Sequence, residues 1–407
     1  MLFVTPYLPS PPRFGGQRRL HGLISGVAAS HEVSVLSLVD AAEDHAEALR
    51  ATSAYCRRVV TVPTRPMSHI GAYKRALQLG SLLSRRSYER LVHAEPAITG
   101  ALERMLASDP YDLVQFEFVH TAPSGTASAE RLRSRVPFIL DEHNIEYDIL
   151  QRTARGGASF ARRAFNAIDA RKVRTEEVGA WARLDGCTVT SERDQEMLLA
   201  AAPSARTAVV RNGVDLDAFR PGSAAHEPRS VLFFGAIDYY PNTEGLLFFL
   251  DEVMPRLRAT MPGVHLRIVG RRPPASITER RGRDVEITGA VDDVRPYIER
   301  AAVVVVPLRI GGGTRLKILE AMAMGKAVVS TTLGAEGLDV VPERDLSIAD
   351  DAAGLAAKIG ALLDDPERRG RLGVAARRFV EESHGWSASV ARLTGFYEEI
   401  LEARGLA

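Results

Sequence analysis

Cysteine is scarce: Cys56 and Cys187 are the two present in 407 residues, with no CxxC pair and no Cys/His cluster. A disulfide framework and a structural zinc centre are thereby disfavoured, and a reducing compartment fits. Net charge is equally scarce, since 52 basic residues meet 51 acidic ones. A general nucleic-acid binder carries a basic surplus, so no nucleic-acid partner is expected. No run of about 18 apolar residues occurs, which leaves nothing to span a membrane. The start, Met1-Leu2-Phe3-Val4-Thr5-Pro6, has no basic leader ahead of an apolar stretch. The expected location is the cytoplasm, with room for peripheral contact at the inner membrane. Two nucleotide motifs are missing as well. A P-loop would need glycine where Glu320 stands and a hydroxyl where Ala327 stands, and no GxGxxG follows the first strand.

What is present is alternation. Short β-rich runs alternate with helical patterns, the signature of parallel sheets covered by helices. Strands are predicted at 2–7, 32–39, 58–62, 113–117, 138–143, 186–190 and 208–211, then at 231–234, 265–269, 286–288, 303–307, 327–330 and 346–349. Helical stretches include 96–107 and 159–184. Turn formers cluster between Arg211 and Pro228. The length also favours two domains. The expected fold class is α/β, with doubly wound Rossmann-like domains at 1–211 and 212–385 and a cleft between them. A C-terminal helix at 386–407 either closes the second domain or crosses back to the first. Ligands of such sheets bind beyond the carboxyl ends of the strands.

The most informative stretch runs from Pro307 to Gly325. A buried strand leads into Gly311-Gly312-Gly313, then into a helix with Thr314 as the expected N-cap and Gly325 at its end. Glycines admit a ligand close to the backbone, and exposed N–H groups at a helix start favour an anion. Lys317 and Glu320, three apart, project from one helix face. A cation and a carboxylate beside an anion-binding turn suit phosphates and a vicinal diol, which together describe a nucleotide.

Gly313-Thr314-x-x-Lys317-x-x-Glu320-Ala321-Met322-Ala323-x-Gly325, followed by Gly334-Ala335-Glu336-Gly337, resembles the donor-site signature of family 4 glycosyltransferases. Asn212-Gly213-Val214-Asp215, Val269-Gly270, Gly289-x-Val291 and Gly15-Gly16 follow in the family's order. The resemblance implies a GT-B fold and retaining transfer from a UDP- or GDP-type sugar nucleotide to an acceptor hydroxyl, with no metal and no cofactor required. It implies that Glu320 holds the ribose, that the Gly311 to Thr314 turn meets the donor sugar and diphosphate, and that Lys317, with Arg309 or Arg315, faces the diphosphate. Gly270, Arg271 and Val291 would enclose the base, while Gly15 and Gly16 would approach the phosphates. His143, directly after a predicted strand in Asp141-Glu142-His143, would face the donor sugar.

Two departures from the pattern stand out. The family often has a glutamate eight residues before the ribose-binding one, where this chain has Gly312. The loop Gly235 to Asn242 lacks the Arg and Lys that many members carry there. Lys317 is the expected replacement. The resemblance points to polysaccharide-type assembly, with a lipid-linked glycan or a small molecule as acceptor. The basic stretch Arg152 to Arg174 is either a solvated helix face or a resting surface on anionic lipid. A nucleotide-sugar epimerase and a non-catalytic sugar-nucleotide-binding protein are the rival readings.

Overall fold

A computed structural model describes residues 1–64, 72–93, 96–122, 132–133, 135–155, 160–223 and 226–406. The chain forms two compact units. The first comprises Met1–Arg211 with Ser389–Ala407, the second Asn212–Ala388.

Unit 1 holds seven strands: β1 Leu2–Thr5, β2 Ser34–Asp40, β3 Arg58–Thr64, β4 Val114–Glu117, β5 Phe138–Glu142, β6 Gly186–Val189 and β7 Thr207–Val209. All pair parallel, in the order β3-β2-β1-β4-β5-β6-β7. Winding reverses between β1 and β4, so the switch point lies at their carboxyl ends. Leu2, Val4, Phe116, Leu140 and Val189 share one core with Trp181 of helix Phe160–Trp181. The predicted start of that helix at Ser159, and the rest of 156–159, lie outside the described residues.

Unit 2 holds six: β8 Ser230–Phe234, β9 His265–Val269, β10 Val285–Gly289, β11 Val303–Val306, β12 Ala327–Ser330 and β13 Ser347–Ile348. Their order, β10-β9-β8-β11-β12-β13, reverses between β8 and β11. β11 explains why a four-valine run belongs at the centre. Val303 and Val305 pack into the core on one face, Val304 and Val306 into the core on the other. Side chains alternate across a strand, so only a sheet covered on both faces buries all four, and each burial stabilises by about 1.5–3 kcal/mol.

The predicted strands form with edges shifted by a few residues. The helix Pro96–Ser108 runs one residue past its predicted end. The helix Trp386–Ala403 starts in unit 2, where Trp386 packs on the core and against Gly213, and continues as part of unit 1 from Ser389. There the Ser389 hydroxyl donates to Arg211 O at 2.8 Å. Among the described residues no helix is long and apolar enough to cross a membrane.

Candidate functional site

In unit 2 the switch point gathers the predicted residues. After β11 the chain turns through Gly311 (φ +134°) and Gly313 (φ +71°), conformations that exclude most side chains. The helix Leu316–Ala323 follows. Its N-cap position is Arg315, without a side-chain cap, so the expectation for Thr314 is corrected. The Thr314 hydroxyl instead accepts from Asn212 Nδ2, and the Arg315 guanidinium folds back onto the carbonyls of Gly312 and Gly313. The helix ends with Gly325 at φ +67°, Lys326 N donating to Ala321 O and Gly325 N to Met322 O. This paired closure is the usual one where a glycine adopts the left-handed conformation.

Glu320 is 2% exposed, on a helix whose other buried residues are all apolar. Burying a carboxylate costs several kcal/mol without compensation, so a mere surface glutamate is excluded. Lys317 reaches the loop after β8. Its Nζ donates to Asn242 Oδ1 at 2.8 Å and lies 4.2 Å from the centre of the Phe233 ring. A Cβ on Gly235, itself at φ +141°, would lie 3.0 Å from that Nζ. Asn242 is held by its own bond to Ala236 O at 2.7 Å. The loop that lacks its own cations is therefore met by one from the neighbouring helix.

The other predicted residues of unit 2 are distributed around this centre. Arg309 pairs with Glu244 at 2.5 Å and covers Phe248. Gly270 is obligatory, because a Cβ there would sit 1.8 Å from Gly235 O. Arg271 lies 3.9 Å from Asp238, and Val291 packs against the core. The triplet Asp215-Leu216-Asp217 has the Asp-x-Asp form found in metal-dependent transferases. Here Asp215 Oδ1 accepts from the N–H groups of Asp217 and Ala218, which closes a turn.

In unit 1, Gly15 and Gly16 open the helix Gly15–Ala28. A Cβ on Gly16 would meet Tyr7 Oη at 2.0 Å, so this glycine answers to packing. His143 follows β5 and is 6% exposed. Its Nε2 lies 2.8 Å from Glu117 Oε2 and 3.4 Å from Asp141 Oδ2. Asp141 takes a bidentate pair from Arg19 at 2.8 and 2.7 Å and the Thr188 hydroxyl at 2.6 Å. Burial alone would raise Asp141, but the Arg19 charge holds it at about 2. Burial lowers His143 to about 3 against the pull of Asp141. Burial, then the Asp141 charge, lifts Glu117 well above the carboxylate range. Glu142 points to the opposite face, where Trp181 donates to it at 2.9 Å and burial lifts it to about 8.

Glu117, Asp141 and His143 lie close enough to hold a cation. Their lone pairs are already engaged, since Asp141 faces a guanidinium that is 1% exposed and Glu117 Oε1 accepts from Gln115 Nε2 at 2.8 Å. Sequence reasoning missed Glu117, Phe118 and Arg19. Phe118 stacks on His143 with ring centres 3.8 Å apart, from a backbone at φ +67°. Such a conformation is rare for a bulky residue and marks strain at functional sites. The one legible signal was a carboxylate, Glu117, at the end of a wholly buried strand.

Comparison with known proteins gives a consistent result. Residues 15–218 match the family described as Glycosyltransferase Family 4, and residues 228–365 match Glycosyl transferases group 1. Phosphatidyl-myo-inositol mannosyltransferase of Mycolicibacterium smegmatis is 33% identical over 204 residues, 47% of this chain and 51% of that one. The chain spans about half the length of the curated relatives it matches. Among solved structures, sucrose-phosphate synthase from Thermosynechococcus elongatus has a TM-score of 0.73 at 20% identity, covering 99% of both chains. An Anabaena protein solved with UDP-glucose has a TM-score of 0.69 at 14% identity, covering 98% of this chain and 99% of that one. Both likenesses concern the fold, which is GT-B. With one family match spanning half its residues and a second following in the other unit, the chain belongs to glycosyltransferase family 4.

Proposed function

We propose that the protein transfers a sugar, with retention, from a UDP- or GDP-type sugar nucleotide to an acceptor hydroxyl, without a metal. Glu320 holds the ribose hydroxyls, and the Gly311 to Gly313 turn receives the diphosphate at the start of helix Leu316–Ala323. Lys317 neutralises the charge that grows on the diphosphate as the glycosidic bond breaks. A cation fixed in advance stabilises that charge more in the transition state than in the ground state. His143 serves the donor sugar. The observation that carries this reading is the Lys317 ammonium at Asn242 and Gly235, beside the loop that lacks cations of its own. The Arg19 guanidinium on Asp141 supports the metal-free form, because a dication would compete with a charge already buried there.

Thermal shifts with UDP-glucose and GDP-mannose identify the base, since a ligand of the folded state raises Tm. Lys317→Ala is expected to weaken binding of the matching nucleoside diphosphate by about tenfold or more, the worth of one charge-assisted hydrogen bond. Unchanged affinity would sink the assignment of Lys317.

The acceptor side includes an anionic membrane surface. Helix Ala72–Leu82 and its end present Leu79, Leu82 and the 94% exposed Leu83, while helix Phe160–Trp181 presents Phe160, Ile168, Arg162, Arg163 and Arg171. The two helices meet where Lys172 Nζ donates to Ser81 O. Exposed leucines beside arginines suit a bilayer with acidic headgroups.

A further inference from the structure

The polar layer behind His143 has a direction. Tyr397, fully buried on the last helix, donates its hydroxyl hydrogen to Gln115 Oε1 at 2.5 Å. With that oxygen engaged, the Gln115 amide turns its Nε2 to Glu117 Oε1 at 2.8 Å. An amide N–H only donates, so Glu117 Oε1 is an acceptor in this pair. The second carboxyl oxygen, Oε2, faces His143 Nε2 at 2.8 Å.

One hydrogen lies between those two atoms, and two arrangements are available. Either the carboxyl group holds it and donates to the ring, or the ring holds it and donates to a carboxylate. The surroundings choose between them. Asp141 already neutralises Arg19 through two hydrogen bonds, and Glu117 is 0% exposed beside it. A second negative charge at this point would be buried with no cation of its own to match it, which is costly. Tyr7 and Tyr397, which also act on this layer, are neutral phenols whose ionisation burial opposes first of all.

Resting on the proposed role of His143 at the donor sugar, we infer that Glu117 is a positioning residue. As a neutral carboxylic acid it donates Oε2–H to His143 Nε2 and fixes the imidazole with its hydrogen on Nδ1. Nδ1 makes no hydrogen bond among the described residues. It is thus a donor available to a hydroxyl oxygen of the sugar. Phe118, stacked on the ring, holds the plane of the imidazole. His143 accordingly works as a neutral hydrogen-bond donor and not as a general base.

The test begins with the tautomer. In the full chain labelled with 15N-histidine, His143→Asn identifies the His143 signals among the ten histidines. A neutral ring protonated on Nδ1 is expected, and one protonated on Nε2 overturns the inference. This measurement is made on the free protein and decides even where neither sugar nucleotide is turned over. Kinetics follow release of UDP from UDP-glucose and of GDP from GDP-mannose. Glu117→Leu is expected to lower kcat by about 10–100-fold with KM little changed, as for outer residues that orient a histidine. Glu117→Gln recovers most of that loss, because its amide also donates to Nε2 while accepting from Gln115. Were Glu117 an anion, the glutamine would impose the wrong tautomer and cut kcat by up to about 10⁴-fold, as Asp→Asn does in a Ser-His-Asp triad. A loss of that kind in Glu117→Gln overturns the inference even if Glu117→Leu fails to fold. A fully active His143→Asn enzyme would instead remove His143 from the proposed site, leaving the tautomer result intact.

Discussion

Replacing Arg19 by methionine tests whether the buried ion pair under β5 is a structural keystone of unit 1. The guanidinium makes two bonds to Asp141 and one to Val210 O at 2.9 Å, and both partners of the pair are 1% exposed or less. Methionine fills much of the space and supplies none of the bonds. Removing one member of a buried pair leaves the other uncompensated and costs about 3–5 kcal/mol. A second route gives a similar scale. Holding Asp141 at about 2 in place of its ordinary 3.8 corresponds to roughly 2 kcal/mol at neutral pH, to which the lost bond to Val210 adds about 1 kcal/mol. The pH dependence fixes the sign. In the wild type the contribution of Asp141 is complete above pH 3.8 and fades as pH falls towards 2. In the variant burial acts on Asp141 without the guanidinium, so the protonated form is preferred and stability falls as pH rises through the unfolded value. The gap between the two proteins therefore widens from acid to neutral pH. Urea unfolding followed by Trp181 in a Trp386→Phe background reads unit 1 alone, since these are the two tryptophans of the chain. A loss under about 1 kcal/mol at neutral pH, or a gap that does not change with pH, would show that the pair is no keystone. Asp141→Asn completes a double-mutant cycle.

Gly270→Ala forces a methyl group to within 1.8 Å of a backbone oxygen on the loop that Lys317 contacts. It should destabilise unit 2 by about 1–3 kcal/mol or more, seen as a lower Tm, and weaken sugar-nucleotide binding at the same time. Replacing both Leu79 and Leu83 by serine should reduce sedimentation with anionic vesicles while leaving Tm unchanged, since both side chains are largely exposed. High salt should release the wild type if the arginines contribute. Retention of the double variant at wild-type levels would locate the membrane contact elsewhere.

The fold was legible because its strands are short and strongly apolar, and because turn formers separate them. Val303 to Val306 could only be a strand covered on both faces. Strand ends drifted by a residue or two; after β6, for example, Thr190 continues the β-branched pattern once pairing has stopped. In the donor region Glu320, Lys317 and the glycine turn stand close together in sequence, so spacing along one helix was enough to unite them. Thr314 was misread for a local reason. Threonine is a good N-cap, but Asn212, 102 residues away, engages its hydroxyl and the helix begins later. Around His143 the sequence was nearly silent. Arg19, Gln115, Glu117, Asp141 and Tyr397 come from four separate elements and meet only through the sheet order and the returning helix. No periodicity records such a meeting.

The return of that helix has a consequence for how the protein is made. Unit 2 is an insertion in the chain of unit 1, and the apolar seats it leaves open are filled late. Val390 packs at Gly26, Phe396 and Ile400 pack against Gly186, and Tyr397 completes the polar layer. A growing chain therefore holds its first 211 residues unfinished while the second unit, contiguous in sequence, is free to fold on the ribosome. Translation that stopped after Ala388 would release a whole unit 2 joined to a first unit with exposed core positions. Chaperones and proteases act on such surfaces, so quality control of unit 1 depends on the arrival of Ser389–Ala407.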